Sequence, residues 1–283
     1  MVTDCRVFNL TVTGASHIKA ETVCQDYSAS KRTEDCLLLA VCDGHGGEDY
    51  FRSDRGSRFA CNAFLSCAEN PDLLKALSDA KTERQQNERI GQLKKSIIAN
   101  WNAMVDSDIK QDPFCEDELD KISERARQRY ESGQQLQSAY GTTLIGAIFT
   151  EEFWLGLQIG DGKCVSVSEN GEFSQPIPPD DRCFLNITTS LCDADASNEF
   201  RHFYSKSLPS AVFICSDGVD DCFAGDERLY DFYRLAMKSF KESDCSTAIS
   251  QLEGFLPEMS SKGSRDDMSV GIFINFKAQN QGI

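Results

Sequence analysis

The stretch LLLAVCDGHGGEDY, Leu37 to Tyr50, decides how this chain is read. It opens as an apolar run without a period, and at Asp43 it turns within one residue into Asp-Gly-His-Gly-Gly. An apolar run of this length bounded by glycine reads as a strand buried on both faces. Such a strand leads into either a turn or a site, and a lone Asp-Gly is far more often a turn.

Three other places repeat the pattern. FWLGLQIGDGK is apolar from Phe153 to Ile159 and then gives Gly160, Asp161 and Gly162. AVFICSDGVDD is apolar from Ala211 to Cys215 and then gives Ser216, Asp217 and Gly218, with Asp220 and Asp221 just beyond. GSRDDMSVGIFINF inverts the order, placing Arg265, Asp266 and Asp267 immediately before an apolar strand. Each of these carboxylates sits at a strand end. Clustered carboxylates raise one another's pKa and destabilise a fold unless something cationic lies between them. Hard divalent cations such as Mg²⁺ and Mn²⁺ are what oxygen-only sites bind. Glycine after each aspartate leaves a backbone carbonyl free to turn toward an ion. One aspartate can bridge two cations about 3.5 to 4 Å apart, and such a pair activates a bridging water and clamps an in-line displacement at phosphorus. His45, two residues after Asp43, is spaced to protonate the leaving oxygen; taken alone it is a loop histidine.

The whole chain sets bounds on this reading. Its 283 residues are ample for a large core, and the motifs run from Asp26 to Asp266, so a single domain over 1–283 is expected. The formal net charge of -16 argues against nucleic acid and anionic membranes as partners, which need a basic footprint. No apolar run reaches membrane-spanning length, so no membrane insertion is expected. There are 13 cysteines, but the opening MVTDCRVFNLTV has no basic segment followed by an apolar one. Cys36, Cys42, Cys164 and Cys215 lie in apolar runs, where cysteine acts as a small hydrophobe, and no C-x-x-C pair is present. These features point to a reduced, cytoplasmic chain without structural zinc.

Periodicity gives a coarse map. RVFNLTVTG, Arg6 to Gly14, alternates as a half-buried strand, with CLLLAVC as its buried neighbour. A short helical pattern covers 57–65. Ile90, Leu93, Ile97, Trp101, Met104 and Ile109 recur at helical spacing, and Leu119, Ile122, Ala126 and Tyr130 repeat it, which predicts two long amphipathic helices divided near Pro113. Strands are expected over 143–150, 153–159 and 163–168, the last closed by an Asn170-Gly171 turn. Residues 172–209 hold four of the seven prolines and little periodicity, and read as an irregular loop. A strand to Cys215, two helices around 229–240 and 248–256, and a strand over 268–276 complete a layered α+β chain.

Taken in order, CQDYS, VCDGHGG, YGTTLIGAIF, QIGDGK, ICSDGVDD and GSRDDMSV resemble the metal-dependent protein phosphatases of type 2C, the PPM family, in its bacterial form. The resemblance runs from about Asn9 to Asn275. It implies an αββα four-layer sandwich, two mainly antiparallel sheets with helices outside and metals in a cleft at one end. Asp43 would bridge two core Mg²⁺ or Mn²⁺ ions, with the Gly44 carbonyl on one of them and Asp217 and Asp266 completing the sites. Asp26 would hold metal-bound water, Asp161 and Asp221 match a looser third site, and His45 fits the general acid. The implied helical hairpin falls at about 72–132, and a reduced flap at about 172–209. Many members carry a phosphate-binding arginine before the first acidic pair. GASHIKAETVCQD offers Ser16, His17 and Lys19 instead, and His17 is the substitute whose spacing fits. Where the family often has tryptophan this chain has Asp220, which implies a more open or more acidic wall.

The function so implied is Mg²⁺- or Mn²⁺-dependent hydrolysis of phosphoserine and phosphothreonine in proteins, by a metal-bridging hydroxide and without a phosphoenzyme, with a phosphoprotein substrate and a cognate kinase as partners. A Cys222-to-Arg228 C-x5-R spacing exists, but Asp226 and Glu227 inside it would repel phosphate. The alternative is a phosphatase-like binding or regulatory module. Retention of every metal carboxylate and of His45 favours catalysis.

Overall fold

The structure, a computed structural model, describes residues 4–183 and 187–279. Strand β1 is Cys5–Val12, followed by the short helix α1, Ala15–Ala20. Strands β2, Tyr27–Arg32, and β3, Leu37–Cys42, precede helices α2, Ser53–Ala68, α3, Pro71–Ser78, α4, Glu83–Gln111, α5, Glu116–Leu119, and α6, Glu124–Glu131. Then come β4, Leu144–Phe149, β5, Trp154–Ile159, β6, Lys163–Val167, and β7, Phe173–Ser174. Helix α7, Ala196–Glu199, leads into β8, Arg201–Ser205, and β9, Ala211–Cys215. Helices α8, Asp217–Asp220, α9, Asp226–Glu242, and α10, Cys245–Lys262, precede β10, Met268–Asn275.

The strands form two five-stranded antiparallel sheets, ordered β1-β10-β9-β6-β7 and β2-β3-β4-β5-β8. Side chains alternate across a strand, so β3 serves two layers at once. Leu37, Leu39 and Val41 meet Val212, Ile214 and Phe273 of the facing sheet. Leu38, Ala40 and Cys42 meet helices α2 and α4, which contribute Phe64, Ile97 and Trp101. That double burial is why the run Leu37–Cys42 shows no period. On the far side α9 and α10 cover the other sheet through Leu229, Tyr233, Leu252 and Leu256. The result is the expected αββα order of layers.

Several local expectations change. The strands β1 and β3 lie in different sheets, so CLLLAVC is a neighbour of β1 across the sandwich and not its hydrogen-bonded partner. The second long helix is broken into α5 and α6, because Ser123 caps a fresh helix by accepting from Ala126 N at 3.2 Å. A further helix, α3, starts at Asn70, whose side chain accepts from Asp72 N at 2.9 Å. Residues 172–209 are not all irregular, since β8 forms an edge of one sheet. Its five residues are all half-buried, and so show no alternation to read.

Candidate active site

Strand register alone brings the separated aspartates together. Tyr27 pairs with Cys42, which sets Asp26 beside Asp43. Val41 pairs with Ile145 and Leu144 with Ile159, so the ends of β3 and β5 share one edge and Asp161 joins Asp43 there. In the other sheet Cys215 pairs with Val270, so Asp217 emerges beside Asp266 and Asp267. Both ends open on one cleft of about 660 Å³, whose walls include His17, Gln25, Asp43, Gly44, His45, Tyr50, Thr143, Asp161, Asp217, Asp266 and Asp267.

The Asp43 loop is fixed by its backbone. Thr143 N and Thr142 Oγ1 each donate to Asp43 O at 2.8 Å, and Asp43 N donates to Thr143 Oγ1 at 3.1 Å. A Cβ on residue 44 would stand 2.6 Å from Gln25 O and 2.7 Å from Ser53 O, so only glycine lets the turn seat between α2 and the segment that leads into β2.

Electrostatics here is governed by unopposed negative charge. Burial pushes the Asp26 carboxyl up to about 8; the Ser216 hydroxyl, donating at 2.7 Å, pulls it back, while Asp267 and Asp217 push it further up. Burial also holds Asp43 well above the usual carboxylate range, reinforced by Asp26 and Asp217. Asp217 is raised to about 6, again chiefly by burial, with the neighbouring Asp43 carboxyl in opposition. Among the described residues lining the cleft there is no lysine or arginine. The donor set is carboxylate oxygen with backbone carbonyls at hand, and it lacks only positive charge. It therefore fits hard divalent cations.

His45 hangs over this floor. Its backbone N donates to Gly141 O at 3.0 Å, and its ring stands edge-on to Tyr50 with centroids 4.9 Å apart. A Cβ on residue 141 would come within 2.5 Å of the His45 ring and 2.7 Å of Tyr50, so Gly141 leaves the space in which the imidazole sits. Burial lowers the His45 pKa, and Asp161 and Asp193 partly restore it. On the opposite wall His17 Nδ1 lies 2.8 Å from Asp267 Oδ2. The same carboxylate accepts from Gly14 N at 2.7 Å and Gln25 N at 2.6 Å.

The structure thus brings Asp43, Gly44, His45, Asp161, Asp217, Asp266 and His17 to one cleft, with Asp26 buried beneath it. Asp221 stands outside the cleft lining, on the exposed end of α8, though it senses the charges of Asp161 and Asp266. Asp220 does not form an acidic wall: Lys163 Nζ lies 2.8 Å from its carboxylate. Sequence reasoning passed over Asp267 as a working residue. The signal was present, because adjacent residues at a strand start face opposite ways, so only one of the Asp266-Asp267 pair can point out and the other must find partners inside.

The sequence model of the family described as Protein phosphatase 2C matches residues 13–256. Among solved structures, a bacterial serine phosphatase is similar at 15% identity and a TM-score of 0.60, covering 95% of this chain and 97% of that one. The serine/threonine phosphatase Stp1 from Staphylococcus aureus matches at 16% identity and 0.59, covering 95% and 94%. The catalytic domain of the serine threonine protein phosphatase PstP, solved with two manganese ions, matches at 16% identity and 0.53, covering 95% and 97%. At these identities the likeness is one of fold. No curated protein matches the chain significantly.

Proposed function

The chain belongs to the protein phosphatase 2C family of serine/threonine phosphatases, and we propose that it hydrolyses phosphoserine and phosphothreonine in proteins with Mg²⁺ or Mn²⁺ held in the cleft. The observation that carries this is the convergence of Asp43, Asp161, Asp217 and Asp266 with His45 on one cleft that has no lysine or arginine in its described lining.

In this reading Asp43, the Gly44 carbonyl, Asp217 and Asp266 hold two core cations, and Asp26 orders water beside them. Asp161, with Asp221, holds a looser third ion. When bound, such cations supply Lewis acidity to the phosphoryl oxygens and make water acidic enough to attack at neutral pH. The chain's own groups do the rest. Asp43 and Asp217 fix the spacing of the charges from opposite sheets. His45 gives a proton to the leaving serine or threonine oxygen; burial makes its imidazolium a stronger acid than a free one. His17, whose Nδ1 lies against the Asp267 carboxylate, stands where many relatives use an arginine and binds the substrate phosphate. The attack is direct, with no phosphoenzyme.

We read 1–283 as one phosphatase domain, 172–209 as its reduced flap, and the chain as cytoplasmic, acting opposite a cognate kinase. All 13 cysteines are free, which supports a reducing compartment. No helix of the described residues is long and apolar enough to cross a membrane. The test is phosphate release from a phosphothreonine peptide with Mn²⁺ and with chelator. A phosphatase-like binding module would hold the peptide and release nothing.

A further inference from the structure

A groove of about 320 Å³ adjoins the cleft and shares the Tyr50 wall with it. Its other sides include Arg125 and Arg129 of α6, together with Asp49, Gln135 and Asp193. The two arginines are four residues apart on one helix and so stand on one face. Their neighbour Arg127 points elsewhere and is paired with Glu116, Asp120 and Glu131. In a chain of net charge -16, Arg125 and Arg129 make no ion pair among the described residues. Arg129 has a weak contact to Gln135 Oε1 at 3.4 Å, and its Nε is buried without a hydrogen-bond partner.

The groove's own acids are already engaged. Asp49 accepts from Ser123 N and Ser123 Oγ, each at 2.9 Å. Asp193 accepts from Ser190 N at 2.8 Å, and its charge helps burial to push the Glu199 carboxyl up. The guanidinium donors are therefore left for something that enters from outside. A guanidinium fork matches a carboxylate in a bidentate way, and the site lies one residue's width past the histidine that faces the leaving group.

We propose that Arg125 and Arg129 form a substrate subsite that reads an aspartate or glutamate flanking the phosphorylated residue. This rests on the phosphatase reading above. The subsite sets substrate choice and takes no part in the chemistry, so a small aryl phosphate does not sense it.

The experiment uses the full chain with Mn²⁺ and two phosphothreonine peptides that differ only by glutamate or glutamine beside the phosphothreonine. Turnover is followed by phosphate release and affinity by fluorescence anisotropy. The wild type prefers the glutamate peptide by roughly five- to tenfold in kcat/KM, the range of a charge-assisted contact at a partly exposed site, and the preference shrinks as salt rises. Arg125→Gln/Arg129→Gln abolishes that preference and leaves p-nitrophenyl phosphate turnover unchanged. Arg125→Gln alone, at an exposed position, reduces it without a folding cost. Arginine-dependent affinity in a protein that turns over neither peptide would remove the phosphatase reading and keep the groove. Normal turnover with a glutamate preference that survives the double substitution, or with no preference at all, would overturn the subsite.

Discussion

The carboxyl groups of Asp43 and Asp217, which follow inner strands of the two different sheets, both line the cleft, and they stand close enough for the charge of Asp217 to push the Asp43 pKa up. The two sheets therefore meet at their functional end through a pair of acids that would repel each other if both were ionised. Asp43→Asn or Asp217→Asn removes one of those charges. Each variant is expected to lose at least a hundredfold in Mn²⁺-dependent turnover, since a proposed metal ligand is lost, as an order-of-magnitude expectation for two-metal sites. In chelator each should melt no lower than the wild type, because repulsion is relieved and the core is elsewhere. Calorimetric melts with paired rate measurements check both halves.

The raised carboxylates give a signed pH dependence. Asp26 near 8 and Asp43 well above its ordinary range keep protons in the folded state that the unfolded chain, near 4, has released. The folded state binds more protons, so stability falls as pH rises through this window. Below pH about 6.5 the half-buried histidines His45 and His202, both lowered chiefly by desolvation, add the opposite slope. In chelator the melting temperature should thus drop between pH 6.5 and 8. Mn²⁺ should restore it, and more at the upper end. A flat chelated profile across that window would contradict the unopposed-charge account of the cleft.

Asp161 follows a strand in the sheet of Asp43 but stands one hairpin away from it, and with Asp193 it tempers the lowering of the His45 pKa. Asp161→Ala should lower turnover while two cations remain tightly bound. Titration calorimetry that found all metal binding lost would merge the outer and core sites.

The legible part of the fold was the part where burial leaves a simple trace. Strands β4, β5 and β6 fall within one or two residues of their expected limits, because both faces are buried and the run ends in glycine or a polar turn. The cleft was legible for a related reason: an aspartate at the end of a buried strand has few roles. Sheet membership was not legible, since β1 and β3 have the same local pattern whether they pair or stack. Edge strand β8 was hidden by uniform half-burial, and the break between α5 and α6 by an apolar spacing that continues through it. The arginine groove depends on contacts between segments far apart in the chain, which no local pattern records.

His45 separates chemistry from binding. Expelling a serine or threonine alkoxide needs a proton, and a placed general acid contributes about 10² to 10⁴-fold. A nitrophenolate leaves without one. His45→Ala should lose far more rate on a phosphothreonine peptide than on p-nitrophenyl phosphate, with Mn²⁺ affinity unchanged. Gly141→Ala, which drives a Cβ into the imidazole, should reproduce that selective loss in a folded protein. Equal losses on both substrates at saturating Mn²⁺ would remove the general-acid role.

The central claim is that the acids gathered by the two sheets hold cations that turn over a phosphoester. Its most direct test is to titrate Mn²⁺ into the chelated protein while following phosphate release from a phosphothreonine peptide, beside Asp43→Asn. The account predicts no release in chelator, release that rises with cation binding in the wild type, and neither tight binding nor release in the variant. Full release in the presence of excess chelator, or in Asp43→Asn with unchanged metal dependence, would contradict it.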